Sequence, residues 1–124
     1  MKILLDTNFL VYCAKQKIDY VEEIESLIGS SNLVVLSSVA SELDKLAEKA
    51  GKARDKDAAM LALELLKYNK VKIIKTKEKS ADKAIIETAN KEDVVATMDK
   101  ELKNRLKGKA RILTIRKGKK LEII

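Results

Sequence analysis

Three short runs in this chain are apolar without alternation: Ile3-Leu4-Leu5, Leu33-Val34-Val35-Leu36 and Val94-Val95-Ala96. A strand with one wet face alternates apolar and polar residues, whereas a strand covered on both faces reads as a continuous apolar run. Such strands need helices above and below them, and the intervening sequence supplies helical spacing. Strands are expected at Ile3–Asp6, Leu33–Leu36, Val71–Lys75, Val94–Thr97 and Ile112–Ile115, with a short edge strand at Leu121–Ile124 entered through a Lys117-Gly118 turn. Strand and helix alternate throughout. The predicted class is therefore α/β: an open parallel sheet of four to five strands with helices on both faces, in three layers.

The helices carry their own signals. Thr7 or Asn8 is placed to cap a short helix running to about Gln16. Asp19 and Glu22 have the spacing of a capping box, ahead of an apolar stripe of Tyr20, Val21, Ile24, Leu27 and Ile28 that ends at Gly29. Ser30-Ser31-Asn32 and Ser37-Ser38 bound the second strand. Val39, Leu43, Leu46, Ala47 and Ala50 line one face of the next helix, and Glu42 falls in its first turn. Residues 51–56 read as a polar break before a helix from about Asp57 to Tyr68, which is apolar nearly all round. Ser80 caps a helix whose core face is Ala81, Ala84, Ile85, Thr88 and Ala89, with Asp82 in the first turn. Asp99 opens a helix carrying Leu102 and Leu106.

Composition narrows the chemistry. The chain is 46% hydrophobic and 36% charged, which fits one globular domain over residues 1–124 rather than a disordered segment. No apolar run approaches the roughly 18 residues of a membrane span, and no secretory pattern opens the chain, so no membrane partner and a cytoplasmic location are expected. Cys13 is alone, which suits a reducing compartment and a small buried side chain. The chain has no His. That removes Ser-His-Asp and Cys-His catalysis and, with one Cys, ordinary zinc sites. Carboxylate chemistry with Mg²⁺ or Mn²⁺ stays open. The +7 net charge is concentrated late: residues 1–99 hold 16 Lys/Arg and 17 Asp/Glu, while residues 100–120 hold ten Lys/Arg against Glu101 alone. A basic segment on a near-neutral body suits contact with a polyanion.

Four acids stand at informative places. In open α/β sheets the ligand site lies beyond the carboxyl ends of the strands. Asp6 ends the first strand, Glu42 follows the second by one helical turn, Asp99 follows the fourth by two residues, and Asp82 starts the helix between the third and fourth. Each has an ordinary alternative: Asp82 and Asp99 as helix N-terminal carboxylates, Glu42 as a solvated helix residue. Asp6 resists that reading, because a carboxylate straight after three buried residues is costly unless paired or on a metal. Clustered carboxylates repel, and a hard dication resolves the repulsion. Such a site suits hydrolysis of phosphodiesters.

At these residues the chain resembles the PIN-domain nucleases. The matching pieces are Leu4-Leu5-Asp6-Thr7-Asn8, Val39-Ala40-Ser41-Glu42-Leu43, Ala81-Asp82, and Val95-Ala96-Thr97-Met98-Asp99-Lys100-Glu101-Leu102. Met98 stands where that family often has Asn or another small polar residue. The resemblance implies Mg²⁺- or Mn²⁺-dependent endoribonuclease activity, with Asp6, Glu42, Asp82 and Asp99 as metal-binding acids, and Asn8 and Thr97 as the polar residues that orient them. It implies either a VapC-type toxin restrained by an antitoxin, or an RNA-processing nuclease with a ribosome-assembly partner. The basic late segment tilts the reading toward RNA processing. Lys100, Lys103, Arg105, Lys107 and Lys109 are the expected phosphate contacts, with Lys49, Lys52 and Arg54 beyond Glu42 as further candidates. Tyr12 is a candidate for base stacking, with core packing as its alternative.

Two other classes share part of this pattern. A phosphoacceptor receiver domain wants adjacent acids after the first strand and a lysine ending the fifth, where this chain has only Asp6 and Thr114-Ile115-Arg116. A non-catalytic basic RNA-binding module needs only the charge. The surplus apolar surface of the 57–68 helix predicts a symmetric homodimer. Light scattering at micromolar concentration checks this: twice the 13.9 kDa chain mass is expected, and the mass of one chain would remove the dimer.

Overall fold

In a computed structural model, which describes residues 1–29 and 32–124, the chain runs β1 (Ile3–Leu5), α1 (Thr7–Gln16), α2 (Tyr20–Ile28), β2 (Leu33–Leu36), α3 (Ser37–Lys49), α4 (Ala53–Tyr68), β3 (Lys72–Ile74), α5 (Ala81–Thr88), β4 (Val94–Ala96), α6 (Lys100–Arg105), β5 (Arg111–Arg116) and β6 (Lys120–Ile123). Among the described residues the sheet has six strands in the order β3-β2-β1-β4-β5-β6. The pairings from β3 through β5 are parallel, and β6 closes the edge antiparallel to β5. The sheet is thus one strand larger than the four to five expected. Lys117 and Gly118 both take positive φ, 49° and 85°, within the three-residue turn, residues 117–119, that joins β5 to antiparallel β6.

Every residue of β1, β2 and β4 is buried. This is the physical content of the unbroken apolar runs: both faces of the inner strands are covered. Phe9 and Tyr20 pack edge to face at 6.3 Å where α1 meets α2. Cys13 is buried, and burial pushes its thiol up to about 12, so it stays a neutral packing group.

Several helix boundaries differ from expectation. Helix α4 begins at Ala53, so most of the expected polar break is helical, and Lys15 of α1 reaches Asp55 at 2.5 Å. The small side chains Ala58, Ala59 and Ala62, with Leu66, are its buried face, while Met60, Leu61 and Tyr68 are exposed. The expected surplus apolar surface is therefore real. Asp19 accepts from the Glu22 N–H at 3.2 Å, and Gly29 closes α2 at φ 76°. Ser80 stands at the start of α5 but gives no side-chain cap, and neither Thr7 nor Asn8 caps α1. The expected Ser30-Ser31 boundary lies outside the described residues.

The end of the sheet opposite Asp6 is pinned by Asp93. Its carboxylate accepts from the backbone N–H groups of Lys2 at 2.9 Å and Asn90 at 3.2 Å, and pairs with the Lys2 ammonium at 3.3 Å. Burial disfavours its charge, but these donors outweigh burial and hold the carboxyl below the usual carboxylate range. Asp93→Ala strands donors that the fold encloses. It should lower unfolding stability at pH 7 by about 2–3 kcal/mol in chemical denaturation. A loss of under about 0.5 kcal/mol would contradict that account.

Candidate active site

The strand order reverses direction at β1 and β4: β2 and β3 extend one way from β1, and β4 and β5 extend the other. Ligand sites of open α/β sheets form at this switch point, beyond the carboxyl ends of the strands. Asp6 leaves β1 there, and Thr97, Met98 and Asp99 leave β4 beside it. The order also differs from the 2-1-3-4-5 arrangement of receiver-type sheets, which removes that alternative.

Thr97 is the joint of the site. It is fully buried, and its Oγ1 donates to Asp6 Oδ2 at 2.7 Å while accepting the Asp99 N–H at 3.1 Å. Asn8 Oδ1 accepts the Met98 N–H at 3.2 Å and lies 3.5 Å from Thr97 Oγ1. The two supporting residues named from the sequence thus fasten the β1 exit to the β4 exit. The alternative for Asp99 is also realised: its Oδ1 caps α6 by accepting from Glu101 N–H at 2.9 Å and Leu102 N–H at 3.3 Å.

Asp6, Asn8, Glu42, Asp82 and Asp99 line one cleft of ≈ 260 Å³, together with Ser80 and Ala81. All four sequence-named acids therefore share a cleft, although they lie on four separate segments. They do not share a point. Among the described residues no group of three or more is drawn together closely enough to hold an ion as it stands. Their charges nonetheless reach one another. Burial pushes the Asp6 carboxyl up to about 6, the Thr97 hydroxyl and the Thr7 backbone work against that, and the Asp82 and Glu42 charges add to it. Asp82 is raised by burial and then by Asp99 and Glu101, with Arg105 opposing. An all-oxygen donor set with mutual repulsion and one deeply buried member suits a hard dication in its chemistry.

The basic residues divide. Arg105 is near enough to Asp82 to favour its ionised form. Lys103 and Lys107 line a separate groove with Ile112 and Ile124. Lys109 donates to the Ile86 carbonyl, and its ammonium has further N–H groups for a phosphate. Tyr12 donates to the Gly118 carbonyl at 2.8 Å and so braces the β5–β6 turn. Sequence reasoning missed Ser80 and Ala81 in the cleft wall, because nothing in their local pattern distinguishes them from a helix start.

No helix among the described residues is long and apolar enough to cross a membrane. Residues 3–118 match the family model described as a PIN like domain. The chain is 36% identical over 126 residues to the ribonuclease VapC4 of Methanocaldococcus jannaschii, a match covering 98% of this chain and 95% of that protein. It also superposes on the structure of the PIN domain endonuclease Utp24 with a TM-score of 0.78 at 27% identity, covering 98% of this chain and 90% of that one. The switch-point cleft, the whole-length sequence match and the shared fold agree: the chain belongs to the PIN-like domain family.

Proposed function

We propose that the protein is an endoribonuclease that hydrolyses RNA phosphodiesters with Mg²⁺ or Mn²⁺ held by Asp6, Glu42, Asp82 and Asp99. The observation that carries this reading is the Thr97 hydroxyl, which ties Asp6 to the segment bearing Asp99 at a cleft lined by all four acids. The likeness to a ribonuclease and to a PIN domain endonuclease supports the substrate class and the reaction. A bare RNA-binding module gives no reason for a buried, raised-pKa carboxylate among three others.

When bound, a hard dication supplies charge neutralisation on the phosphodiester and lowers the pKa of water. The chain's own contribution is positional. Thr97 fixes one oxygen of Asp6, Asp99 spends Oδ1 on its cap, and Glu42 and Asp82 come from α3 and α5 on the other sides of the cleft. With no His in the chain, proton movement falls to carboxylates and water. Lys100, Lys103, Arg105, Lys107 and Lys109 are the proposed phosphate contacts of the late segment. The role favoured is RNA processing in the cytoplasm with a ribosome-assembly partner. The second role is a toxin restrained by an antitoxin, which the identity to VapC4 keeps in view.

Labelled RNA should be cut in Mn²⁺ and left whole in EDTA, and Asp6→Asn should lower cutting at least about 100-fold with the circular dichroism spectrum unchanged. Full activity in Asp6→Asn would defeat the assignment.

The Asp6 carboxyl also makes a stability prediction without metal. Its folded pKa, about 6, lies above the ordinary value near 3.9. The contribution of Asp6 to stability is therefore fully present below about pH 4 and is lost as pH rises through about 6, by up to about 3 kcal/mol. Asp6→Asn should be more stable than the parent at pH 7 and gain nothing at pH 4. Mn²⁺ should raise the parent's melting temperature and leave the variant's unmoved. Equal pH dependence in the two proteins would refute the assigned shift.

A further inference from the structure

We propose that the cleft next to the acid site is a subsite for a backbone phosphate of the RNA strand flanking the bond to be cut; this rests on the endoribonuclease reading above. The cleft measures ≈ 320 Å³ and is walled by Ser38, Ser41 and Lys45 of α3 and by Glu78 and Lys79 of the loop before α5. It adjoins the acid cleft directly along the chain. Ser41 precedes Glu42 and Lys79 precedes Ser80, and both of those successors line the acid cleft.

Three independent observations mark it for an anion. Ser38 is 6% exposed, and its Oγ has no hydrogen-bond partner, so a buried polar group at the wall has unused bonding capacity. Lys45 and Lys79 are exposed, and neither has a carboxylate within ion-pair distance among the described residues. The 13-residue helix α3 starts straight from β2 with no side-chain cap, so its first-turn N–H groups and the positive end of its dipole stand at this wall. The one wall carboxylate, Glu78, is engaged: its Oε1 accepts the Ser80 N–H at 3.0 Å. Ser37 Oγ accepts the Thr76 N–H at 3.0 Å and so holds the loop against α3.

The electrostatics explain why such a subsite is needed. Four acids repel a polyanion, so the strand must be gripped where cations adjoin them. Lys103 and Lys107 open on another groove, whereas Lys45 and Lys79 stand on the wall that continues from the acids.

The test uses the full chain, a labelled single-stranded RNA of about ten nucleotides and a dinucleotide, which has no flanking phosphate. Binding is followed in EDTA across a range of KCl, and cleavage is followed in Mn²⁺. Lys45→Ala/Lys79→Ala should bind the longer RNA about tenfold more weakly at low salt, with a salt slope reduced by about 1.4, from two contacts at about 0.7 each. Its KM for that RNA should rise with kcat unchanged, and its dinucleotide cleavage should match the parent. Ser38→Ala should lose about two- to threefold in affinity. If the parent binds and cleaves RNA and the double variant matches it in affinity and slope, the subsite falls while the nuclease reading stands. Loss of binding confined to a parallel Lys103→Ala/Arg105→Ala variant also overturns it, as does equal loss on the dinucleotide. A parent that neither binds nor cleaves RNA takes both readings down.

Discussion

The site depends on one hydroxyl that does two things at once. Thr97 Oγ1 donates a hydrogen bond to Asp6 and accepts one from the N–H of Asp99, so the ends of β1 and β4 are held in one geometry. A buried carboxylate is costly, and the hydrogen bond offsets only part of that cost, since Asp6 still has its pKa pushed up to about 6. The residual penalty is what a bound cation would remove. Stability given up at such a position is a recurrent mark of functional sites.

The topology explains why the acids come from so far apart. Parallel strands deliver all their carboxyl ends to one edge, and the reversal of strand order at β1 and β4 leaves a crevice there. Asp6 and Asp99 enter it on strand exits, Asp82 on the first turn of α5, and Glu42 on the second turn of α3, one turn later than expected because that helix already starts at Ser37. The opposite end of the same strands is tied by Asp93 to Lys2 and Asn90. One buried aspartate therefore anchors the sheet, and another, at the far end, has its burial only partly offset by hydrogen bonds.

Much of this was legible in the sequence, for physical reasons that are residue-specific. Burial on both faces writes an inner strand as an unbroken apolar run, so Ile3–Leu5, Leu33–Leu36 and Val94–Ala96 could be placed. A carboxylate immediately after such a run marked Asp6. The start of α4 was hidden because Ala53-Arg54-Asp55-Lys56 is polar; in the fold Asp55 suits the first turn of the helix and pairs with Lys15 of α1. The late basic segment reads as one stripe in sequence, yet it folds into α6, a turn and two strands, so Arg105, Lys107 and Lys109 meet different surroundings. The serine and lysine cleft beside the acids had no linear signature, since its two walls are joined by contacts between residues 39 apart.

The central claim is that oxygens from four segments converge on an ion, and crystals soaked in Mn²⁺ test it most directly through the anomalous signal. The account predicts a peak in the switch-point cleft about 2.1 Å from an Asp6 oxygen and from at least one of Glu42, Asp82 and Asp99, whose side chains close in from their present spacing. A well-occupied peak elsewhere, or none in that cleft at millimolar Mn²⁺, would contradict it.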